Sequence, residues 1–484
     1  MTDSLTALDA TFLELEEADE SAHMHTGAVM TFAPDPRRRV PSLEGVRTML
    51  AERLGVLPRY SQKLSEPHTG GMHWPAWEPD PHFDIAAHVH EAALPPPGGE
   101  AELLRWAADY WSTRLDRRRP LWDAVLIKGL EGGRWALATK THHALVDGIG
   151  SIDVGHMLLD STPRPRRRGG EPHHAPDVEQ AAHSGLLRFL PEAMVKGVRT
   201  GFDAALHPGK IKEALQRSAA VVELIVRDEL IAAPRTSLNG PIGTRRRFEV
   251  VRAELADLKT VKNELGGTVN DVVLAIATGG LRLMLLGRGE EPPGRGLRAM
   301  VPVNVRTAAE QLELGNKITS LFVHLPIAEP DPLRRYRLAT ANAESLKSGT
   351  QAIGGSTLVD LASLAPPALH SFVARSLFAS RLFNVTITNV PGPQQPLYAF
   401  GARLEEVYPL VPLAAEHAVG IAVVSYAGRI FVGLHGDERA AADLEVLRDG
   451  IAESLAELLA LALRKRPSKR RRAGRAAPTG ASTG

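Results

Sequence analysis

The chain has 484 residues, more than one hydrophobic core normally organises, so we expect two comparable lobes with a cleft between them. Its composition, 44% hydrophobic and 23% charged, is typical of a folded globular protein, and its longest apolar segments are too short or too interrupted to cross a bilayer. Because the sequence contains no cysteine, disulfides, thiolate zinc sites, iron–sulfur ligation and a cysteine nucleophile are excluded within it.

The net charge of +1 conceals a basic C-terminal end. Residues 464–475 carry eight Lys and Arg side chains and no acidic one, and subtracting those eight charges from +1 leaves −7 for residues 1–463. Such a segment is typical of a tail that binds an anionic membrane surface, of a solvated disordered tail, or of a phosphate contact in nucleic-acid binding. Residues 1–20 are acidic where a secretory signal needs a basic and then an apolar segment, so we expect a cytoplasmic location.

In chain order, the first clear element is a strand at residues 134–142. Its side chains alternate between two faces, one carrying Trp135 and Leu137 and the other Lys140 and His142, a pattern that predicts a half-buried strand. A turn follows in THHALVDGIG, residues 141–150. The Pro-, Gly- and Arg-rich residues 163–177 then predict an exposed, mobile linker.

The second half mixes helices and strands. Apolar residues at three- and four-residue spacing predict helices, at 186–231, 268–286 and 443–463. Apolar segments bounded by Pro and Gly predict strands, at 296–306, 320–327, 384–393, 417–428 and 429–437. Strands and helices in both halves indicate two α/β lobes.

The histidine pair in THHALVDGIG raises three interpretations: a metal site, an acid–base site and two ordinary strand-end histidines. Successive side chains of a strand leave on opposite faces, so His142 and His143 cannot easily bind one ion, and the sequence has no cysteine or HExxH helix to complete a zinc site. The histidine pair alone does not decide between an acid–base site and ordinary strand-end histidines, since a second pair, at residues 173–174, lies in the linker. Asp147 and Gly148 favour chemistry, because they can brace the turn and leave room for a substrate.

Taken with its surroundings, the stretch resembles the HHxxxDG signature of the CoA-dependent acyltransferase superfamily. Further segments resemble the bacterial wax ester synthase/diacylglycerol acyltransferase family, in its order along the chain. They are Leu5–Glu16 with His23–Phe32, Pro120-Leu121-Trp122, Ser237–Phe248, Asn270-Asp271 and Asn384–Leu404. The resemblance covers most of the chain, and only the linker and the basic tail lie outside it.

The resemblance implies an α/β fold of two chloramphenicol-acetyltransferase-like lobes with an active-site tunnel at their interface. The expected divisions are an N-terminal lobe, a linker, a helical crossover, a C-terminal lobe and a basic disordered tail, at residues 1–162, 163–183, 184–235, 236–463 and 464–484. It also implies transfer of a long-chain acyl group from acyl-CoA to diacylglycerol or a fatty alcohol, with no resident cofactor and no metal. We expect a peripheral place at a membrane or lipid-droplet surface, through residues 464–475, and no nucleic acid.

The resemblance assigns roles to the residues of the motif. His143 is the general base, His142 supports it, Asp147 holds the loop and Gly148 leaves room for the substrate. Without a cysteine, direct transfer is favoured over an acyl-enzyme, since the only GxSxG match lies at the C-terminal end, at 480–484.

Other residues of the resemblance carry open alternatives. Asn270 is either a hydrogen-bond donor to the oxyanion or, with Asp271, a helix cap. Pro120, Leu121 and Trp122 are interpreted as mainly structural, with Trp122 packed between the lobes, and as candidate substrate contacts with Asp271. A further candidate group either lines the tunnel or only ends a strand, and it comprises Asn389, Pro391 and Gly392. The rival functions are transfer to a polyketide-like or sugar acceptor, and a catalytically silent lipid-surface protein.

Overall fold

The computed structural model describes eight ranges of the chain, residues 3–5, 7–34, 40–66, 75–145, 158–164, 233–304, 318–348 and 382–465. Its helices are α1 Ala7–Ala18, α2 Leu43–Leu54, α3 Glu100–Trp111, α4 Leu255–Leu265, α5 Val269–Gly287, α6 Pro332–Ser348 and α7 Leu444–Lys465. Its strands are β1 Asp3–Ser4, β2 His25–Phe32, β3 Gln62–Leu64, β4 Ala76–Pro79, β5 Val89–Ala93, β6 Trp122–Lys128, β7 Trp135–His142, β8 Arg246–Glu254, β9 Leu297–Asn304, β10 Ile318–Leu325, β11 Val385–Pro391, β12 Tyr398–Ala399, β13 Ala402–Leu410, β14 Val419–Tyr426 and β15 Arg429–Asp437. The predicted helices at 186–231 lie outside the described residues, as does most of the linker.

The first lobe is built on a six-stranded sheet in the order β12-β13-β2-β7-β6-β5. β7 lies between β2 and β6 and is antiparallel to both, and its register places His142 opposite His25 of β2. The strand is not half-buried as predicted, because six of its eight residues are buried. Small residues on its second face, Ala136 and Ala138, are fully covered by the core.

The second lobe is built on a six-stranded sheet in the order β10-β9-β11-β14-β15-β8. All five strands predicted downstream are present in it. Helices α5 and α7 cover this sheet, and they approach closely at Gly280, where an added Cβ would lie 2.6 Å from Cγ1 of Ile451. Among the described residues α5 is the one helix long and apolar enough to cross a membrane, but 72% of its apolar window is buried inside the protein, which is typical of a core helix.

One hairpin of the C-terminal half joins the first sheet. After β11 the chain forms β12 and β13, and β13 pairs with β2 in an antiparallel register that sets Val407 opposite Met30. The predicted C-terminal lobe, residues 236–463, therefore supplies two strands to the other lobe. The two sheets are thereby tied together by the chain itself.

Buried polar contacts join the lobes at the start of β8. The side chain of Arg246 is fully buried and donates hydrogen bonds to the carbonyl of Gly243 at 2.6 Å and to that of Ser21 in the first lobe. Its backbone N–H donates to Oγ of Ser112 at 2.9 Å. Burial lowers the pKa of Arg246 to about 10, although nearby Asp437 opposes the shift.

Three histidines are buried around this junction, at positions 23, 25 and 435. Burial is the largest cause that lowers their pKa values, to about 4 for His23, about 3 for His25 and about 3 for His435. The charge of Arg246 adds to the shift for His23 and His435, whereas Glu16 opposes it for His25. All three imidazoles are therefore neutral in the folded protein near neutral pH.

We predict that acid destabilises the fold through these histidines. Their folded pKa values lie below the unfolded value of about 6.5, so the unfolded chain binds protons first, and stability that is full above pH 6.5 is lost as the pH falls toward 4. Each histidine contributes a slope of up to about 1.4 kcal/mol per pH unit in that window. Urea unfolding followed by tryptophan fluorescence between pH 7.5 and 5 measures the slope.

The matched variants are His435→Gln, which removes one of the three contributions, and His82→Gln at an exposed position. The slope should fall by up to about 1.4 kcal/mol per pH unit in the first variant and stay at the wild-type value in the second. Equal slopes in wild type and His435→Gln would contradict the assignment.

Candidate active site

The histidine pair lies where β7 ends and the chain turns, as the sequence predicts. The backbone N–H of His142 donates to the carbonyl of Leu121 at 2.9 Å, and its own carbonyl accepts from Leu145 at 2.9 Å, which closes the turn. The ring of His142 is fully buried, whereas His143 is only partly buried. The backbone N–H of His143 donates to the carbonyl of Met24 at 2.8 Å. The two imidazoles therefore occupy different environments.

Helix α1 contacts both imidazoles with side chains one helical turn apart. The ring of Phe12 stacks on His143 with centroids 4.2 Å apart and planes at 24°. Four residues later, Glu16 places its carboxylate 3.4 Å from Nε2 of His142. Positions i and i+4 share one helix face, so a single helix orientation sets both contacts.

Glu16 is a buried carboxylate at the centre of a charged and polar cluster. One oxygen, Oε1, lies 3.3 Å from Nε2 of His25, and the other, Oε2, lies 3.0 Å from Nη2 of Arg117. Burial alone would raise the pKa of Glu16, but the contacts from His142 and His25 outweigh it and hold that pKa well below its usual range. Glu16 is therefore an anion near neutral pH.

The contacts of His142 fix where its proton lies. Nδ1 accepts a hydrogen bond from the backbone N–H of Ala144 at 3.1 Å, so a neutral ring carries its proton on Nε2, which faces Glu16. In this tautomer neither nitrogen is available to take a proton from a substrate. This geometry suits the supporting role predicted for His142, and the role of His143 as general base stays a prediction.

The Asp-Gly half of the motif lies outside the described residues. Asp147 and Gly148 belong to residues 146–157, so their roles as loop brace and open position remain predictions. The chain after that segment is fixed at Asp160. Arg53 donates to Oδ1 of Asp160 at 2.7 Å, and Asp160 forms a backbone bridge with Tyr398.

The second lobe brings together Asn270 and Asn389. Nδ2 of Asn389 donates to Oδ1 of Asn270 at 3.2 Å, which leaves Nδ2 of Asn270 as the donor end of that amide. Asn270 lies in the first turn of α5, where backbone N–H groups also accumulate. A donor in this place suits the oxyanion role, which stays a prediction.

Asp271 caps helix α5, which is the structural alternative given for it, and its contact with substrate stays a prediction. It is fully buried, and its Oδ2 accepts hydrogen bonds from the backbone N–H and the hydroxyl of Thr268, both at 2.8 Å. Thr268 in turn accepts from the backbone N–H of Asp271 at 3.3 Å, which completes a capping box at the start of α5. Asp271 thereby fixes the turn on which Asn270 lies.

The Pro120-Leu121-Trp122 segment belongs to the core of the first lobe, and Trp122 does not pack between the lobes as predicted. Its Nε1 donates to the carbonyl of Tyr60 at 2.8 Å, and its ring stacks on His88 with centroids 4.7 Å apart. Tyr60 and His88 both precede β6, within the first lobe. The segment serves the site through the Leu121 carbonyl that receives the N–H of His142.

Pro391 and Gly392 end β11 beside β14. An added Cβ on Gly392 would lie 2.3 Å from the carbonyl oxygen of Ser425, so only glycine allows this approach of the two backbones. The backbone N–H of Gly392 also donates to Oγ of Ser425 at 3.2 Å. These contacts account for the strand-ending alternative, and Asn389 is the member of the group that reaches Asn270.

Sequence reasoning did not single out Phe12, Glu16, His25 and Arg117. Phe12 and Glu16 are four residues apart in a segment of helical periodicity, and His25 stands in a short His-x-His pattern. Those spacings were the available signal. Nothing in them shows that Glu16, rather than neighbouring Glu14 or Glu17, lies beneath the histidine pair.

Comparisons with known proteins show the family of the chain. Residues 5–273 match the model of the wax ester synthase/diacylglycerol acyltransferase catalytic domain, and residues 314–459 match that of the family's C-terminal domain. A probable diacylglycerol O-acyltransferase of Mycobacterium tuberculosis is 32% identical over 479 residues, which cover 96% of this chain and 98% of that protein.

Solved structures show the same architecture. The wax ester synthase/diacylglycerol acyltransferase from Marinobacter aquaeolei VT8 matches with a TM-score of 0.68 and 26% identity, over 95% of this chain and 99% of that one. The first condensation domain of the calcium-dependent antibiotic synthetase matches with a TM-score of 0.61 and 17% identity, over 95% and 97% of the chains, and it shows the fold alone. The chain belongs to the wax ester synthase/diacylglycerol acyltransferase family.

Proposed function

We propose that this acyltransferase moves a long-chain acyl group from acyl-CoA to the hydroxyl of diacylglycerol, a fatty alcohol or both, with His143 as general base. The proposal rests on the different environments of the two histidines. His142 contacts Ala144 and Glu16, while His143 is partly exposed at the end of the strand. The names of the relatives support the acceptor class, since one is a diacylglycerol O-acyltransferase and another also a wax ester synthase.

The proposed reaction is a direct transfer. His143 takes the hydroxyl proton as the alcohol oxygen attacks the thioester carbonyl, and the carbonyl oxygen becomes an oxyanion. When the tetrahedral intermediate collapses, the carbon–sulfur bond breaks and the CoA thiolate recovers the proton from His143. A positioned base of this kind typically contributes about 10²- to 10⁴-fold in rate.

Asn270 is the proposed donor to the oxyanion. Its Oδ1 already accepts from Asn389, so the amide presents Nδ2 as a donor without rotating. The alternative role of Asn270, as part of the helix cap, has less support, because Thr268 and Asp271 form the cap without it. Loss of a single such donor costs about 3 to 4 kcal/mol in well-studied hydrolases.

We predict that His143→Ala loses at least about 100-fold in kcat, because the alcohol no longer has a base. The assay measures free CoA released from palmitoyl-CoA in the presence of hexadecanol or dioleoylglycerol. His82→Ala, an exposed histidine of the same lobe, serves as the control and should retain the wild-type rate.

The outcomes separate the rival functions. No acceptor-dependent release by the wild type would retire diacylglycerol and fatty alcohols as acceptors, in favour of another acceptor or a silent lipid-surface protein. Wild-type activity in His143→Ala would retire this histidine as the base. The ratio of rates on the two acceptors decides between triacylglycerol and wax ester synthesis.

We also propose that the protein is cytoplasmic and visits a membrane or lipid-droplet surface through its basic tail. The support is the chemistry of the proposed substrates, which partition into lipid, and the dense charge of residues 464–475. Helix α7 leads into that segment and is fixed at its end, where Nζ of Lys465 donates to the carbonyl of Glu264 at 2.8 Å.

Deleting residues 466–484 tests this proposal and leaves the Lys465 contact intact. We expect weaker binding to liposomes that contain anionic lipid, since each basic residue near such a surface contributes about 1 kcal/mol. The difference should shrink as salt rises, while activity on dispersed hexadecanol is retained. Equal partitioning of the two forms at low salt would contradict the proposal, and salt-dependent retention on nucleic acid alone would favour that partner instead.

A further inference from the structure

We propose that Arg117 is a positioning residue for the transfer reaction, and that the loop which carries it, residues 112–119, aligns the three elements that hold the histidine pair. The inference rests on the proposed function. It concerns a side chain that touches neither His142 nor His143 directly. We call residues 112–119 the arginine loop.

The arginine loop forms hydrogen bonds with the C-terminal half of α1 and the residue that follows it. Nη2 of Arg114 donates to the carbonyls of Glu16 at 2.7 Å and of Asp19 at 2.6 Å. Nη2 of Arg117 donates to the carbonyl of Leu13 at 2.7 Å. Carbonyls near the C-terminal end of a helix present partial negative charge, so two guanidinium groups there fix the position of the helix.

Arg117 also fixes the rotation of the Glu16 carboxylate. Its Nε and Nη2 lie 3.2 and 3.0 Å from Oε2, which is the oxygen that faces Nε2 of His142 at 3.4 Å. A planar guanidinium fork holds a carboxylate oxygen in one place more strictly than a single charge does. With Oε2 held, Oε1 is directed to His25.

Further contacts of the arginine loop, and of the end of α3 before it, reach the two strands. Nζ of Lys140, which lies on β7 two residues before His142, donates to the carbonyls of Tyr110 at 2.7 Å and Thr113 at 3.0 Å. The backbone nitrogen of Leu115 lies 3.4 Å from Nε2 of His25, on β2. The arginine loop therefore contacts α1, β2 and β7 together.

This arrangement predicts a specific defect when Arg117 is lost. Glu16 would keep its charge but lose the group that orients Oε2, and the acceptor facing His142 would become mobile. Because Phe12 and Glu16 lie on one face of α1, the stack on His143 would loosen with it. A displacement of about 1 Å in a catalytic group can cost about 10²-fold in rate, whereas substrate binding need not change.

The test compares Arg117→Gln with Arg118→Gln in the CoA-release assay. Arg118 has an 87% exposed side chain and pairs within the loop with Asp116, so it is a control of identical chemistry at the next position. We expect Arg117→Gln to lower kcat about 10- to 100-fold with KM for both substrates within about twofold of wild type. Arg118→Gln should match wild type, and Arg117→Lys should recover part of kcat.

A double variant separates positioning through Glu16 from a loss of fold. If Arg117 acts through Glu16, then adding Arg117→Gln to Glu16→Gln should lower kcat no further. Equal kcat in Arg117→Gln and Arg118→Gln, a rise in KM alone, or full additivity in the double variant would overturn the proposal.

A second readout does not need activity. The ¹⁵N shifts of labelled histidine report the tautomer of His142, whose signal is identified by its absence in His142→Asn. We expect the Nε2-protonated form in wild type and Arg118→Gln, and a mixture in Arg117→Gln. A wild type without acceptor-dependent CoA release would retire the proposed function alone, while an unchanged His142 signal in Arg117→Gln would overturn the positioning role.

Discussion

The buried carboxylate of Glu16 is the interaction on which the site depends. Removing an ionised carboxylate from water costs several kcal/mol, which is recovered only if charged or polar partners surround it. Here the partners come from separate parts of the first lobe: His25 on β2, His142 on β7 and Arg117 in the arginine loop. None of these elements can shift without exposing the charge to an unfavourable environment, so the carboxylate holds them in one arrangement.

The same interaction makes the two histidines unequal. Nδ1 of His142 accepts from the backbone of Ala144 and its Nε2 faces Glu16 at 3.4 Å, whereas the ring of His143 stacks on Phe12. The second lobe completes the arrangement by other means. Its hairpin pairs with β2, and its capping box fixes the turn that carries Asn270. The proposed base on one lobe and the proposed amide donor on the other suit transfer between two substrates.

Local features of the sequence predicted the strand end, the five downstream strands and helix α5, because each depends on residues close along the chain. The features that the sequence did not predict depend on contacts between residues that are far apart along the chain. Trp122 looks the same whether it packs within one lobe or between two, and the strand β13 alternates in the same way for either sheet. Glu16 was missed because helical periodicity does not show which of three nearby carboxylates is covered by the sheet.

The central claim is that the Glu16 carboxylate places the catalytic pair, and the most direct measurement is kcat of Glu16→Gln beside Glu17→Gln. The two residues are adjacent, but the side chain of Glu17 is 78% exposed and that of Glu16 is 1% exposed. The account predicts that Glu16→Gln lowers kcat at least about tenfold while Glu17→Gln stays within about twofold of wild type. A folded Glu16→Gln protein with the wild-type kcat would contradict it.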